Sequence, residues 1–272
     1  MAIKSADNRP VGIFDSGIGG LTIVDSVVRL LPSERVVFYG DTAHLPYGDK
    51  SSHAIRTYSR NIVEYLIRQD CKAIIIACNT ASAVAFRELE RSFGGEMAII
   101  NVIDPVVKFT LQQVTNGSIG VIGTRRTIRT GIYPRRLRTL RKNVQVTAHA
   151  TPLLAPMIEE GFFNNKISQT IINNYLSRPG LNEIEALILA CTHYPLIRPE
   201  IERYYGGKVN VIDSTDAVAQ ELKSELEKRR QLADHSFPDH DFLVSDFTAS
   251  FQETTKIFFR EKVKLQERRI SE

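Results

Sequence analysis

The sequence has too few cysteines, in the wrong arrangement, for a disulfide framework or a zinc cage. Three cysteines occur in 272 residues, and none of them belongs to a Cys-x-x-Cys pair. Small secreted domains use many regularly spaced cysteines, and structural zinc sites use paired ones. We therefore expect no structural metal and a protein of a reducing compartment, the cytoplasm.

Long hydrophobic runs are also missing. A helix that spans a bilayer needs about 20 consecutive apolar residues, and no segment of the sequence reaches that length. The first ten residues, Met-Ala-Ile-Lys-Ser-Ala-Asp-Asn-Arg-Pro, lack the apolar core of a secretory signal peptide. Both observations favour the cytoplasm, and we expect no membrane partner.

The nucleotide-binding motifs that often accompany a glycine-rich loop are absent. Residues 15–20 read Asp-Ser-Gly-Ile-Gly-Gly, without the Gly-x-Gly-x-x-Gly spacing or the Gly-Lys-Ser/Thr ending. The Asp15 carboxylate would repel a phosphate but would suit a substrate ammonium, while Ser16 and the loop amides would suit a substrate carboxylate. A tight strand-to-helix turn without a ligand explains the loop equally well.

A large excess of either charge is missing too. The formal net charge of +4 allows an acidic small-molecule substrate without requiring nucleic acid. Eight basic side chains are concentrated in one stretch: Arg125, Arg126, Arg129, Arg135, Arg136, Arg138, Arg141 and Lys142. Sites for nucleic acid combine such charges with aromatic residues, and Tyr133 is the one aromatic residue among them. We therefore favour a solvated helix face and expect no nucleic-acid partner.

What the chain does contain is an alternation of short aliphatic runs and helix-like segments. Hydrophobic residues make up 43% of it and charged residues 24%, which is typical of a globular protein. Alternating strands and helices predict an α/β fold with parallel sheets. Strands are predicted at residues 11–15, 36–39, 73–77, 98–102, 119–122, 144–149, 186–190 and 242–245. Helices are predicted at 21–31, at 51–69, from 78 to about 92, after Pro105, near 165–177 and after Pro195.

Two segments of the chain resemble one another, and each contains a cysteine near its end. Residues 73–80 read Ala-Ile-Ile-Ile-Ala-Cys-Asn-Thr, and residues 186–193 read Ala-Leu-Ile-Leu-Ala-Cys-Thr-His. Residues 11–16 and 119–124 form a second, similarly spaced pair. We therefore predict two similar α/β domains with mainly parallel sheets, related by a pseudo-two-fold axis, with the active site in the cleft between them. The first domain would comprise residues 1–103 and 209–272, and the second residues 104–208.

Cys78 and Cys191 are the strongest candidates for chemistry. Ligands bind at the carboxyl ends of the strands in open α/β sheets, and a helix N-terminus favours a thiolate. Each cysteine is followed by a hydrogen-bonding pair, Asn79-Thr80 or Thr192-His193. These pairs suit helix capping, carboxylate binding and, for His193, proton transfer. Two thiols on equivalent ends of two half-proteins indicate racemisation, with one thiol for each face of the substrate.

On four motifs the chain resembles the glutamate racemases of the aspartate/glutamate racemase superfamily. The motifs are Asp15-Ser16-Gly-Ile-Gly-Gly, Pro46-Tyr47-Gly48 followed by Lys50-Ser51, Ala77-Cys78-Asn79-Thr80 and Ala190-Cys191-Thr192-His193. The resemblance extends over residues 10–260, approximately. It implies racemisation of L-glutamate to D-glutamate for peptidoglycan, without a cofactor or a metal, by a protein that forms homodimers.

The same resemblance implies roles for individual residues. Cys78 and Cys191 would be the two catalytic bases, and Asp15 and His193 would assist them. Substrate contacts would come from Asp15, Ser16, Tyr47, Gly48, Asn79, Thr80, Thr192 and His193, with Thr124 and Glu159 as supporting positions.

Three alternatives remain open. One is a non-enzymatic binding role, as a second activity, in which the basic stretch at 125–142 contacts another macromolecule. A racemase for aspartate or for a hydantoin would use the same fold and the same two thiols, and would differ in the groups that bind the side chain. A cysteine hydrolase would use Cys191 with His193, but it would leave the repeated motif around Cys78 unexplained. Cys71 precedes its strand and has no such motif, so we interpret it as a small buried hydrophobe.

Overall fold

The computed structural model describes residues 6–114, 117–234, 239–259 and 263–270. The strands in these ranges are β1 (Val11–Asp15), β2 (Val36–Gly40), β3 (Ala73–Ile76), β4 (Ala98–Asn101), β5 (Ser118–Gly123), β6 (Gln145–Ala150), β7 (Ala186–Ala190), β8 (Asn210–Ile212), β9 (Asp241–Val244) and β10 (Leu265–Glu267). All strand pairs are parallel. The predicted α/β fold with parallel sheets is therefore confirmed.

Helices alternate with these strands along the chain. The α-helices are α1 (Leu21–Leu30), α2 (Ser52–Arg68), α3 (Asn79–Phe93), α4 (Ile103–Gln113), α5 (Arg125–Arg129), α6 (Ile132–Leu140), α7 (Leu154–Glu159), α8 (Lys166–Leu176), α9 (Arg198–Tyr205), α10 (Thr215–Arg229) and α11 (Ala249–Phe258). Short 3-10 helices occur at Thr42–His44, Tyr47–Asp49 and Tyr194–Ile197. No helix of the described ranges has the length and apolar character to cross a membrane.

The chain divides into two compact units, each built around one sheet. The first unit extends to Val102 and resumes at Thr215, and the second is Ile103–Ser214. The first sheet has the strand order β10-β9-β2-β1-β3-β4, and the second has the order β6-β5-β7-β8. The core strands β1 and β3 are fully buried, as expected for parallel strands covered by helices on both faces.

The two sheets share a four-strand arrangement. The order β2-β1-β3-β4 in the first unit matches the order β6-β5-β7-β8 in the second, so β1 corresponds to β5 and β3 to β7. These are the strand pairs whose sequences resemble one another. The strands β9 and β10 extend the first sheet beyond β2, and no described strand extends the second sheet beyond β6 in the same way.

The boundary after the second unit differs from the predicted one at residue 209. Strand β8 pairs with β7, with Val211 opposite Leu187 and Ile212 opposite Ile188, so the second unit continues to Ser214. The reason is burial, because Val211 and Ile212 are almost fully covered in this position. A three-residue strand leaves little periodicity to detect in the sequence.

The helix predicted after Pro195 is present and begins with a 3-10 segment. Tyr194–Ile197 forms a 3-10 helix, and the α-helix begins at Arg198. The predicted helix at 51–69 is observed as Ser52–Arg68, where the Ser51 hydroxyl caps the helix by accepting a hydrogen bond from Ala54 N at 3.1 Å. This cap follows the usual preference for serine before a helix.

The basic stretch at residues 125–142 contains α5 and α6. Within the second unit, Arg136 lies 2.8 Å from Asp104, and Arg141 donates to the carbonyl groups of Leu111 and Val114. Arg125, Arg129, Arg135, Arg138 and Lys142 are exposed. The expectation that this face binds no nucleic acid stays a prediction.

Candidate active site

Most of the predicted site residues lie at the carboxyl ends of β1 and β3 in the first unit and of β5 and β7 in the second, whereas Tyr47 and Gly48 follow β2 and Glu159 ends α7. In each sheet the chain passes from the first of these strands to a neighbour on one side, and then crosses to a neighbour on the other side. This change of direction opens a crevice at the carboxyl ends of the strands. Asp15 ends β1, and Cys78 follows β3 after one intervening residue, Ala77. Thr124 follows β5, and Cys191 follows β7. Strand order therefore gives the two cysteines equivalent positions.

Cys78 occupies the N-cap of the 15-residue helix α3. Its sulfur accepts a hydrogen bond from Ala81 N at 3.4 Å and lies 3.5 Å from Ser16 Oγ. The thiol is 6% exposed. An anion at this position interacts favourably with the partial positive charge of the helix N-terminus. Asn79 and Thr80 form the first turn of the helix and are buried beside the thiol.

The Asp15 carboxylate holds the glycine-rich loop by binding two of its backbone amides. The carboxylate accepts hydrogen bonds from Gly17 N at 3.3 Å and Gly20 N at 3.0 Å, and the residue is fully buried. A Cβ atom at residue 20 would lie 2.6 Å from Asp15 Cβ, so the turn requires glycine there. This differs from the sequence expectation, because Asp15 itself occupies two of the loop amides that we assigned to a substrate carboxylate.

Tyr47 lies in the 3-10 helix that also contains Gly48, and its hydroxyl points to a buried carboxylate. The hydroxyl donates a hydrogen bond of 2.6 Å to Asp41 Oδ2. Burial raises the pKa of Tyr47 well above its ordinary value, and the neighbouring charges of Asp41 and Cys78 add to the increase. Tyr47 therefore remains a neutral hydrogen-bond donor at any physiological pH.

Asp41 belongs to these surroundings although its sequence context did not predict it. It follows β2 directly, as Asp15 ends β1, and its amide donates to Asp15 O at 3.0 Å. Besides Tyr47, its carboxylate accepts from Ser245 Oγ at 2.9 Å and lies 2.9 Å from His44 Nδ1. A buried carboxylate needs such partners to offset its loss of hydration. A polar residue directly after a buried strand is the sequence feature that could have identified Asp41.

Cys191 lies beside a charged histidine. Its sulfur is 3.7 Å from His193 Nδ1, and His193 Nε2 is 2.8 Å from Glu159 Oε1. Thr192 Oγ1 lies 3.4 Å from the same Nδ1 atom. Burial lowers the pKa of His193, but its hydrogen bonds to Cys191 and Glu159 outweigh that effect and hold the pKa well above its ordinary value.

The two cysteines therefore obtain their positive surroundings in different ways. We expected a helix N-terminus after both. Cys191 is followed by the four-residue 3-10 helix Tyr194–Ile197, with His193 at its N-cap. Pro195 stands in the first turn of that helix. The imidazolium of His193 thus provides, next to Cys191, the positive charge that α3 provides next to Cys78.

Three further residues complete the surroundings of Cys191. Thr124 caps α5 by accepting a hydrogen bond from Thr127 N at 3.3 Å. Tyr133 and Tyr194 are buried near the sulfur, and burial, with the Cys191 charge, raises the pKa of both. Both tyrosines therefore stay neutral. Neither tyrosine was predicted from the sequence, since buried tyrosines carry no motif of their own.

Cys71 is buried at the start of β3, away from the carboxyl end of the sheet. Burial raises the pKa of its thiol to about 12, so the thiol stays protonated. Within the ranges that the structure describes, no group of three or more His, Cys, Asp or Glu side chains could hold a metal ion.

Comparisons with known proteins identify the relatives of this chain. The family model for the Asp/Glu/hydantoin racemases matches residues 19–222. A glutamate racemase of Chlorobaculum tepidum is 40% identical over 258 residues, which cover 94% of each chain. A glutamate racemase of Neisseria meningitidis is 38% identical over 245 residues, or 90% of each chain.

Solved structures give the same result. The crystal structure of glutamate racemase from Francisella tularensis in complex with D-glutamate is similar with a TM-score of 0.90 and 36% identity, covering 97% of this chain and 98% of that one. The Thermus thermophilus glutamate racemase in complex with beta-chloro-D-alanine has a TM-score of 0.87 and 32% identity, covering 98% and 99%.

Proposed function

This chain belongs to the Asp/Glu/hydantoin racemase family and is thus an isomerase, and we propose that it interconverts L- and D-glutamate with two thiols. One observation carries the proposal. Cys78 and Cys191 follow equivalent strands of two sheets that share one strand order. Racemisation needs one group to remove the α-hydrogen and another to deliver a hydrogen to the opposite face, and a repeated thiol supplies both.

In the proposed mechanism, one cysteine acts as a thiolate and the other as a thiol. The thiolate removes the α-hydrogen of glutamate, leaving a nearly planar carbanion at Cα. The second thiol delivers its hydrogen to the other face, which gives the opposite enantiomer. In the reverse direction the two cysteines exchange roles. The helix α3 would stabilise the thiolate of Cys78, and His193 that of Cys191.

The surrounding polar groups would hold the substrate. We assign the substrate ammonium to Asp15, whose carboxylate lies at the same end of the sheet as Cys78. The carboxylates of glutamate are assigned to polar groups in both units. These are Ser16, Tyr47, Gly48, Asn79 and Thr80 in the first unit, and Thr124, Thr192 and His193, with Glu159 as its partner, in the second.

Glutamate is preferred to aspartate or a hydantoin because of the relatives. The similar proteins of Chlorobaculum tepidum and Neisseria meningitidis are glutamate racemases, and the similar Francisella tularensis structure holds D-glutamate. We further propose that the enzyme works as a homodimer in the cytoplasm, without a cofactor, and that its D-glutamate is used for peptidoglycan. A hydrolase built on Cys191 and His193 would give no role to Cys78.

Polarimetry of the purified protein tests this function. L-Glutamate and D-glutamate should each lose optical rotation to zero with no pyridoxal phosphate added, and dialysis against a chelator should leave the rate unchanged. Aspartate and a 5-substituted hydantoin, tested in parallel, should react much more slowly. A requirement for an added cofactor, or faster turnover of aspartate or the hydantoin, would contradict the proposal.

A further inference from the structure

A cavity of about 330 Å³ lies in the first unit beside β2, and neither Cys78 nor Asp15 lines it. Its walls come from the carboxyl ends of β2 and β9, from helix α2 and from the residues after β10. This volume is at the lower end for small-molecule pockets, which suits a ligand with a single ring. The proposed function gives this cavity no role.

The acceptors of the buried carboxylate in the cavity wall are already engaged. Asp41 receives hydrogen bonds from Tyr47 and Ser245 and lies against His44 Nδ1. A ligand in the cavity would therefore contact Asp41 without forming a hydrogen bond or an ion pair with it. The His44 ring is stacked on Tyr58 with its centroid 4.0 Å away, which fixes this side of the cavity.

A second carboxylate in the wall has no such partners. The backbone of Asp246 is held by Thr42, whose hydroxyl donates to Asp246 O at 2.5 Å and accepts from Asp246 N at 2.9 Å. The Asp246 side chain is half-buried and forms no hydrogen bond or ion pair with any described residue. A carboxylate that is partly removed from water and lacks a cation is a binding site for one.

Two tyrosines line the cavity. Tyr58 is half-buried and has the more accessible ring, whereas Tyr39 is 1% exposed and turns its hydroxyl away by donating to Arg268 O at 2.9 Å. Ring faces attract cations and also provide apolar contact for a flat molecule. The one arginine in the wall, Arg269, does not reverse this preference, because its side chain is 77% exposed and pairs with Glu267 at 2.9 Å.

We propose that this cavity binds a compact organic cation, an aromatic amine or amidine, with the cationic group on Asp246 and the ring against Tyr58. Anions are disfavoured because the two wall carboxylates would repel them. An amidine fits a carboxylate better than a round ammonium does, because it can donate two parallel hydrogen bonds. The cavity shares no lining residue with the proposed racemase site, which it adjoins through the hydrogen bond between Asp41 and Tyr47, and the proposal does not depend on the proposed function.

Benzamidine is the probe, and benzamide is its neutral control of the same shape. Calorimetric titration of the whole chain should give a dissociation constant of about 1 mM or lower for benzamidine, which is reasonable for so small a ligand. Benzamide should bind at least about tenfold more weakly, since it lacks the charge that pairs with Asp246. Equal affinity for both compounds, or no benzamidine binding at 10 mM (~10 times the expected constant), would overturn the proposal.

Two variants locate the bound molecule. Asp246→Asn removes the charge with almost no change in volume, and Tyr58→Leu removes a ring face. Each should weaken benzamidine binding by about tenfold. Glu227→Gln, which removes an exposed carboxylate from α10, should leave binding unchanged, and circular dichroism should show that all three variants are folded.

Benzamidine could also reach the carboxylates assigned to the racemase site. In that case glutamate would displace it, and Asp246→Asn would keep the full affinity. Either result would overturn the assignment to this cavity. Undiminished binding in the presence of saturating D-glutamate, together with the loss in Asp246→Asn, is the result that we expect.

Discussion

At the residue scale, the two thiols differ in what surrounds them although their sequence motifs are similar. Cys78 takes its polar environment from backbone groups of α3, and Cys191 takes it from the side chain of His193. A backbone dipole cannot titrate, whereas an imidazole can. The two halves of the proposed reaction should therefore respond differently to pH and to substitution.

Replacing each cysteine by alanine tests the assignment of the bases. Cys78→Ala and Cys191→Ala should each lower kcat/KM by at least about 10³-fold, since each removes the proton donor or acceptor on one face. Cys71→Ala should keep most of the activity and cost about 1 kcal/mol of stability, because its protonated thiol only packs. Racemisation close to wild type in either of the first two variants would refute the two-thiol mechanism.

His193 makes a testable contribution to stability against pH. Its folded-state pKa is raised above the unfolded value of about 6.5. Its stabilisation is therefore fully present below about pH 6.5 and is lost as the pH rises through the folded pKa. The difference in unfolding free energy between wild type and His193→Asn should shrink as the pH is raised from about 6 to about 10.

Urea unfolding at several pH values measures that difference. Glu159→Gln is the matched variant, because it removes one of the two groups that raise the pKa. It should move the loss of stabilisation to a lower pH. A wild-type-minus-His193→Asn difference that grows with pH would mean that His193 is held neutral in the folded protein.

At the scale of elements, the sequence predicts where the buried strands lie better than it predicts the edge strands and the pairing between strands. Runs such as Ala-Ile-Ile-Ile in β3 are buried on both faces of the sheet, and their aliphatic composition alone predicts a strand. Strand β10 reads Leu-Gln-Glu, and only Leu265 is buried, so no pattern marks it. The pairing of β9 with β2 joins segments about 200 residues apart, and such non-local contacts leave no signal in local periodicity.

A buried ion pair beside the first sheet binds two segments that are far apart in the sequence. Lys72 precedes β3, is 1% exposed and lies 2.6 Å from Glu34 Oε2. Its ammonium also donates to Asp7 O at 2.5 Å and Gln231 O at 2.6 Å. Glu34 Oε1 in turn accepts from Ala233 N at 2.8 Å. The pair thus holds the segment before β1 and the segment after α10.

Removing one charge of this pair should cost more than removing both. Lys72→Met leaves the Glu34 carboxylate buried without a cation, which should destabilise the protein by about 3–5 kcal/mol. The double variant Lys72→Met with Glu34→Gln keeps an acceptor for Ala233 N and removes the uncompensated charge, so it should be the more stable of the two. Urea unfolding of both proteins decides, and a double variant weaker than Lys72→Met would contradict this account.

At the scale of the whole molecule, one four-strand arrangement occurs twice and has diverged around its ends. The repeat of the cysteine segments predicts this duplication, because similar sequences adopt similar local structure. What the repeat could not predict is the divergence. Residues after Thr215 add β9 and β10 to the first sheet, and Asp41, held partly by Ser245 next to β9, has become a partner of Tyr47.

Isotope transfer from heavy water tests whether the two thiols act as separate bases. Between turnovers each thiol exchanges its hydrogen with the solvent. The cysteine that donates therefore delivers deuterium to the new enantiomer, while the cysteine that abstracts carries off the protium of the substrate. At low conversion the product should contain deuterium at Cα and the remaining substrate should not.

Mass spectrometry of the separated enantiomers, starting from L-glutamate and then from D-glutamate, makes the measurement. A single base that serves both faces would return protium to the product or bring deuterium into both enantiomers. Early deuteration of substrate and product to similar extents, in both directions, would count against two separate thiols even if the protein racemises glutamate. Cys78→Ala and Cys191→Ala are the controls, because each keeps one thiol and can at most exchange the α-hydrogen of one enantiomer. Complementary exchange, of one enantiomer by each variant, would assign each thiol to its own face of the substrate.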